Sequence, residues 1–399
     1  MMSITKQEES NNTVVFKLCF YVTIVSNLVI YIAQPLHIVL LETLASRFFM
    51  LSNLVALFFV FNHCIRNYNP YKTQQLVTII FLLAYTFLSF LLSNGSGLYT
   101  YIIRILCYLA LPIYFMYLDY LKPDKWILNF IFILNILISL VFISLSFSNL
   151  RYAGYESFLG TDKAWLTLGY FNPNQTAMYL LITIIILLCA LYYYKHKLLR
   201  FLLLLDIVYL GTLLYDTSSR TSIGVGILIL IAVLLKRRPS ISKGLILVVL
   251  SLPLLFLLLY PLMYEKGWIY ILEFGGKMDY SSRSVIFEMI LTSVQDRFLF
   301  GDFSAYQLQN LHNGVLSVYS SLGIVGLLLF YLFYTRAYLH LQARGLNSRT
   351  AYISMIGLLS IFLHACTESA FLVGGSIYAA SLSSLILLTR LEDKDVNYD

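Results

Sequence analysis

Charged residues are scarce in this sequence. Asp, Glu, Lys and Arg make up only 12% of the 399 residues, whereas a soluble domain carries roughly a quarter. Hydrophobic residues make up 59%, and the mean hydropathy is +0.79. This composition excludes an ordinary soluble domain and indicates a chain that is largely buried in lipid.

Cysteine is also rare, and the positions of the five cysteines exclude two kinds of site. Cys19, Cys64, Cys107, Cys189 and Cys366 fall in hydrophobic segments or at their ends. None lies within a long loop, so no disulfide framework is expected, and their spacing matches no metal-ligand motif.

Two further features are missing. The first twelve residues are polar and lack the basic start and small-residue cleavage site of a signal peptide, so residues 14–33 are predicted to be a retained first span. The sequence also shows no internal repeat and no matched pair of spans broken by Gly or Pro. Both are the usual sequence signs of a transporter with repeat symmetry.

Long hydrophobic segments are what the sequence does contain. Residues 75–92 and 126–146 are each about as long as a helix that crosses ~30 Å of hydrocarbon, and their interiors hold no charge. Such spans must be helical, because backbone polar groups find no water in lipid. We therefore predict an all-α, polytopic transmembrane helical bundle, a single integral membrane domain over residues 1–399. About twelve spans are predicted, at 14–33, 45–62, 75–92, 98–118, 126–146, 174–193, 200–215, 221–235, 244–264, 312–334, 350–367 and 370–389.

The distribution of basic residues predicts the orientation. If the N-terminus is cytoplasmic, 18 of the 27 Lys and Arg residues fall in cytoplasmic segments and eight in outer ones, which is the positive-inside bias. Both termini are then cytoplasmic. The net charge of +7 is concentrated on the inner face and does not indicate a nucleic-acid partner, whereas the outer face carries more acids than bases. Each outward arginine is therefore a residue to explain.

Two outer connections are long, and long irregular segments tend to be functional. They cover residues 147–173 and 265–311, the second being a large outer loop before span 10. Within it, residues 282–299 are predicted to form an amphipathic helix that ends before Gly301. We interpret this loop as the active-site loop.

Several residues of the large loop are candidates for chemistry. Arg283 could bind an anionic substrate, and it is preferred over Arg297 because Asp296 is a ready partner for the latter. His312 lies where the chain re-enters the membrane, and a histidine suits proton transfer near neutral pH. Asn313 beside it is counted as a substrate-binding candidate, and alternatively it is a natural helix cap. Alternatively, Arg283 is a solvated helix start and His312 an interfacial histidine.

Other candidates lie in the spans or at their ends. Arg220 follows Asp216 in a tight outer turn and could be either a substrate ligand or the partner of that acid. Arg104 lies about six residues inside its span, where an arginine must snorkel or find a partner. Glu368 ends span 11, four residues after His364, and two such residues do not make a metal site. Glu368 could share a cavity with His312, and both Glu368 and Arg104 are counted as substrate-binding candidates.

Two more positions complete the set. The motif FNPNQTA (171–177) opens a span with Asn172 as a natural cap, and Asn172 and Asn174 are also counted as substrate-binding candidates. Asp206 lies deep in a span and must be paired, hydrogen-bonded or protonated, with no partner evident from the sequence.

The order of these motifs resembles that of a known family. FNPNQTA opens a middle span, SSRTS lies in an outer turn, an R…FLFGDF stretch (Arg283 to Phe303) ends the long loop, and HNGVLSVYSSLGIVGLLLF follows. Over about residues 170–335 this resembles the bacterial O-antigen polymerase and O-antigen ligase superfamily, which includes the Wzy-type polymerases of surface polysaccharide.

The resemblance implies a glycosyltransferase that needs no metal and no other cofactor. It would move a glycan from undecaprenyl diphosphate onto an acceptor at the outer face of the bacterial cytoplasmic membrane. By motif position, Arg220 and Arg283 would hold the lipid diphosphate, and His312 would activate the acceptor hydroxyl. The implied partners are the undecaprenyl-diphosphate-linked oligosaccharide, membrane lipid, and a chain-length regulator and flippase of the same pathway, with no nucleic acid.

The sequence departs from the family pattern in one respect, and two alternative functions stay open. The R-x10-G repeats of some polymerases are absent, since Ile231 and Val294 stand where glycine would follow Arg220 and Arg283. The compact HNG-to-GIVG segment favours a polymerase that extends the non-reducing end of a lipid-linked repeat unit. The alternatives are an O-antigen-ligase type of transfer to another acceptor and a flippase or transporter of lipid-linked oligosaccharide.

Overall fold

The computed structural model describes residues 2–66, 70–92, 112–148, 165–170, 172–235, 241–268, 295–302, 313–344, 348–366 and 376–392, together with a few isolated positions between them. Every regular element in these ranges is a helix. The helices are α1 (Met2–Ala33), α2 (Val39–Arg66), α3 (Pro70–Leu92), α4 (Lys125–Phe147), α5 (Pro173–Tyr193), α6 (Lys197–Asp216), α7 (Arg220–Leu235), α8 (Lys243–Glu265), α9 (Gly314–Ala343), α10 (Arg349–Leu363) and α11 (Ser376–Leu388). Short 3-10 turns lie at Leu118–Tyr120, Gln295–Arg297 and His364–Cys366.

The predicted all-α, multi-pass membrane architecture is confirmed. Nine helices within the described ranges are long and apolar enough to cross a membrane, and α7 is a shorter apolar helix. The predicted count of twelve is not established, because span 98–118 lies mostly outside the described residues and α11 accounts for only thirteen residues of the last span. Helix α9 continues to Ala343, well past the predicted end at residue 334.

Helix α5 lies at the centre of the bundle. Nearly all of its residues are buried, and its run of Ile and Leu is apolar on every side, as expected of a helix surrounded by protein. It packs against α10, where Gly357 lies so close that a Cβ there would be 2.5 Å from Ile185 Cγ2. Helices α6 and α8 instead expose large apolar side chains, as lipid-facing helices do.

Helix α9 is broken one third of the way along, at Gly323. This residue has φ 64° and ψ −171°, a conformation that essentially only glycine adopts. Residues 298–302, which we call the inserted segment, lie against the break and against the last two turns of α3. Four hydrogen bonds hold the segment: Asp302 N to Ser320 O (2.7 Å), Ile324 N to Phe298 O (2.8 Å), Ser89 Oγ to Phe300 O (2.8 Å) and Tyr85 Oη to Leu299 O.

These bonds account for polar groups that the helix break exposes. The N–H of Ile324 and the carbonyl of Ser320 both find partners in the inserted segment, and Ser89 also donates to the carbonyl of Ser321 at 3.1 Å. Non-helical backbone among membrane spans is tolerated only when protein or water satisfies it in this way. Gly301, the predicted end of the loop helix, has φ 67° and lies in this segment.

Asp206, whose partner could not be predicted from the sequence, is hydrogen-bonded by a neighbouring helix. Ser139 Oγ of α4 lies 2.5 and 2.6 Å from the two carboxylate oxygens. The same two helices are joined again by Ser146 and Tyr209, whose hydroxyls are 2.8 Å apart. Interhelical hydrogen bonds of this kind help to hold helices together in lipid.

A cluster of basic side chains surrounds Asp119 at one end of the bundle. Arg344 donates two hydrogen bonds to the carboxylate, at 2.7 and 3.0 Å, and His340 Nε2 lies 3.2 Å from it. Arg390 donates to the carbonyls of Leu118 and Leu121. Burial alone would raise the pKa of Asp119, but the His340 hydrogen bond and the Arg344 charge outweigh it and lower the pKa below the usual 3.8. We call this the Asp119 end and the opposite one the Arg220 end.

Candidate functional site

The chain turns between α6 and α7, and residues 216–222, which we call the Arg220 turn, include Arg220 and the first residues of α7. Short-range hydrogen bonds fix the shape of this turn. Thr217 Oγ1 donates to the carbonyl of Leu214 and accepts from the N–H of Ser219. Ser218 has φ 53°, which reverses the chain within one residue. Arg220 is the first residue of α7 and is partly buried. Arg220 therefore lies at a helix N-terminus, where the backbone N–H groups and the macrodipole favour anions.

Two serines of this turn extend inward to a buried histidine. Ser219 Oγ donates to Ser222 Oγ at 3.2 Å, and Ser222 Oγ lies 3.1 Å from His364 Nε2. Ser222 and His364 are fully buried, and Ser219 is 2% exposed. Because the Ser222–His364 contact joins residues 142 positions apart, it ties the Arg220 turn to the end of α10.

The start of α9 is attached to the same place. Asn313 Oδ1 accepts from the N–H of Leu316 at 2.8 Å, which confirms the predicted helix cap. Its Nδ2 donates to the carbonyl of Cys366 at 2.9 Å, and the side chain is fully buried. Both functions of the amide are thus used within the protein, so Asn313 acts structurally, next to His312 in the chain.

The FNPNQTA motif also lies at the Arg220 end. Asn172 caps α5 through Oδ1, which accepts from the N–H of Gln175, and Pro173 occupies the first turn, as predicted. Asn174 is partly buried in the same turn. The segment before it contacts the Arg220 turn directly, since the N–H of Leu166 donates to the carbonyl of Asp216 at 3.2 Å.

The predicted outer loop 147–173 is not wholly an exposed loop. Its last part, residues 165–170, is largely buried, and a Cβ added at Gly169 would lie 2.9 Å from the carbonyl oxygen of Pro35. Tyr170 Oη donates to the carbonyl of Tyr31 at 2.8 Å, and burial raises the pKa of Tyr170 well above its usual value. This phenol is therefore a fixed neutral donor that attaches the loop to α1.

The structure brings together some of the predicted site residues and leaves others outside the described residues. Arg220, Asn172, Asn174 and Asn313 all lie at the Arg220 end. The remaining predicted residues fall outside the described ranges, as does most of the helix predicted over 282–299; they are Arg104, Arg283, His312 and Glu368.

Arg297 has a different partner from the one predicted. Its Nη1 lies 3.7 Å from the carboxylate of Asp302, five residues later in the chain, whereas the sequence indicated the adjacent Asp296 as its partner. The reason is the turn at Gly301, whose N–H donates to the carbonyl of Arg297 at 2.7 Å and folds the chain back. The conclusion that Arg297 has an acidic partner within the loop stays the same.

The Ser222–His364 contact is the feature that sequence reasoning missed. The sequence pairs His364 with Glu368 by helical spacing and offers no sign of a serine 142 positions away. The one available signal was that a histidine inside a hydrophobic span needs a hydrogen-bond partner. Within the described ranges, no three His, Cys, Asp or Glu side chains are grouped so that they could hold a metal ion.

Comparison of the chain with family models, with curated proteins and with solved structures gives no match. The resemblance to the polymerase and ligase superfamily therefore rests on the order of the motifs in the sequence.

Proposed function

We propose that this protein is a membrane glycosyltransferase of the Wzy-type polymerase class. It transfers a growing glycan from undecaprenyl diphosphate onto a lipid-linked repeat unit at the outer face of the bacterial cytoplasmic membrane. One observation supports this most directly: the three-residue turn His364–Cys366 contacts both the Arg220 turn and the residue that follows His312. Two motifs that the resemblance assigns to one reaction are thus neighbours in space.

The proposed chemistry is a displacement at the anomeric carbon. His312 takes the proton of the acceptor hydroxyl, whose oxygen then forms a bond to the anomeric carbon of the donor sugar. The bond from that carbon to the diphosphate oxygen breaks, undecaprenyl diphosphate leaves with the electron pair, and the configuration inverts.

The arginines act on the leaving group. Negative charge develops on the diphosphate as the bond breaks, and guanidinium groups stabilise it through paired, charge-assisted hydrogen bonds. Arg220 contributes such a group at the start of α7, where the helix N-terminus adds to the favourable potential. Arg283 is the second proposed ligand of the diphosphate.

The charge distribution supports the proposed orientation. The Asp119 end gathers the bases around Asp119 and the starts of α4, α6, α8 and α10, each of which begins at or beside a Lys or Arg. By the positive-inside rule this end is cytoplasmic, and the Arg220 end then faces outward.

The test uses proteoliposomes that contain the purified protein and a synthetic undecaprenyl-diphosphate repeat unit. We expect long polymer without added nucleotide or metal. Movement of the lipid across the bilayer without chain growth would instead identify a flippase. Transfer of the glycan only to an unrelated acceptor would identify a ligase type of enzyme.

Variants at Arg220 sharpen the test. Arg220→Ala should abolish polymer growth while the protein stays in the membrane, as should alanine at Arg283 or His312. Arg220→Lys should retain only part of the activity, because an ammonium group lacks the paired donors of guanidinium. The matched control is Arg200→Ala, an exposed arginine at the other end of α6, which should polymerise like the wild type. Equal activity of Arg220→Ala and Arg200→Ala would contradict the assignment of Arg220.

A further inference from the structure

The short turn His364–Cys366 makes two contacts that diverge to different parts of the Arg220 end. Its first residue is hydrogen-bonded to Ser222 at 3.1 Å, and its last accepts from Asn313 at 2.9 Å. A 3-10 turn rises about 2 Å per residue, so the backbones of these two residues lie about 4 Å apart along the turn. Any displacement of this turn moves both partners.

Each contact leads to one of the proposed reacting groups by a short path. Ser222 lies two residues after Arg220 in the first turn of α7, and Ser219, which donates to it, lies one residue before. Asn313 directly follows His312 and fixes the start of α9. The turn thus connects the group proposed to bind diphosphate with the group proposed to take the proton.

Burial limits what His364 itself can do. Its side chain is fully buried, and so is that of Ser222, so neither can touch a lipid-linked sugar. A histidine that acts at this site must therefore act through the residues it holds. Rates of group transfer are sensitive to such support, since a displacement of about 1 Å can reduce a rate on the order of a hundredfold.

We propose that His364 is a positioning residue that holds the turn carrying Arg220 against the start of α9, through Ser222 and through the turn whose Cys366 carbonyl binds Asn313. This inference depends on the proposed function for its kinetic consequence, but its structural part stands on the contacts alone. The bond between Ser222 and His364 would transmit the effect, so the two residues would act as one unit.

The kinetic test compares four variants in the proteoliposome assay. His364→Leu and Ser222→Ala should each lower kcat on the order of 10- to 100-fold and change KM little. The double variant should lose no more than the worse single variant, because both single changes break the same contact. His364→Gln should recover most of the activity, since its amide can reach the Ser222 hydroxyl in place of Nε2.

A control separates this effect from a general loss of serine hydroxyls. Ser251→Ala removes a partly exposed hydroxyl that donates to the carbonyl of Val248 in its own helix, and it should leave kcat unchanged. Losses that multiply in the double variant, or a His364→Gln variant as slow as His364→Leu, would overturn the proposal.

The structural test does not need activity. Hydrogen–deuterium exchange of the purified protein should show faster exchange at residues 219–224 and at 314–318 in His364→Leu, but only at 219–224 in Ser222→Ala. Unchanged exchange in both segments of His364→Leu would refute the claim that the His364–Cys366 turn holds them. If the wild-type protein makes no polymer, the proposed function fails, and the exchange data still decide whether the turn holds both segments.

Discussion

Replacement of Gly323 by alanine should disrupt the interface between α9 and the inserted segment. A Cβ at this position would lie 2.2 Å from the carbonyl oxygen of Leu299 and 2.6 Å from the nitrogen of Phe300. Both atoms belong to the backbone, so no side-chain rotation can relieve the contact. The inserted segment would have to move away, or α9 would have to straighten and expel it.

The expected cost follows from what is lost. A non-glycine residue in this backbone conformation costs about 1–3 kcal/mol. Displacement of the segment also breaks its four hydrogen bonds, each worth about 0.5–1.5 kcal/mol net, which is about 2–6 kcal/mol together. The total of about 3–9 kcal/mol is an upper range, because part of the segment can shift and keep some bonds.

Thermal unfolding in detergent measures this effect. For 399 residues the entropy of unfolding corresponds to roughly 1.2 °C of Tm per kcal/mol, so Gly323→Ala should lower Tm by about 4–11 °C. Gly301→Ala should behave similarly, because its Cβ would lie 2.5 Å from the nitrogen of Gly323. The control is Gly211→Ala in α6, where no atom lies within 4 Å of the added Cβ and alanine improves helix propensity by up to about 1 kcal/mol. If Gly323→Ala melts like Gly211→Ala, the inserted segment does not hold α9 as described.

Two further predictions concern the acids of the bundle. Asp119→Asn removes the buried charge that Arg344 and His340 contact, which should cost about 3–5 kcal/mol and be visible as a lower Tm in detergent. Because the pKa of Asp119 is lowered in the folded state, its contribution to stability should be fully present above about pH 4 and be lost as the pH falls through the lowered pKa. A Tm that declines between pH 8 and pH 5 in the wild type but not in Asp119→Asn would contradict this assignment. Ser139→Ala should cost about 1–3 kcal/mol by removing the hydroxyl that bonds Asp206, and Ser139→Ala with Asp206→Leu should be more stable than Ser139→Ala alone, which a double-mutant cycle would check.

The features that sequence could predict are local ones. Helix starts at Asn172 and Asn313 are capped as expected, because a cap depends on an amide oxygen and an N–H three residues later. The spans are predictable as well, because the length and the apolar composition of a segment are enough to identify a membrane-spanning helix. The alternation of chain direction then places both caps at the end that carries Arg220.

The break in α9 could not be predicted from the sequence, for a physical reason. The residues around Gly323 read as one continuous hydrophobic span, and an isolated glycine inside a helical pattern is tolerated. Only the approach of the backbone at Leu299 and Gly301 requires a conformation that other residues do not adopt. That approach joins the loop before α9 to the helix itself, and no periodicity in either segment encodes it.

The candidate site shows the same division between local chemistry and long-range contact. A search by chemistry selects Arg220 and His312, because a guanidinium group suits a diphosphate and an imidazole suits proton transfer. It passes over His364, which hydrophobic residues surround in the sequence and which is fully buried in the structure. His364 is hydrogen-bonded to Ser222 in the Arg220 turn, and it lies in the same short turn as the Cys366 carbonyl that binds Asn313, the neighbour of His312 in the chain. A buried histidine in such a place is expected to position the reacting groups and not to react itself. The distinction can be measured, since a reacting residue cannot be replaced by Gln without loss of proton transfer, whereas a positioning residue that needs only its hydrogen bond can.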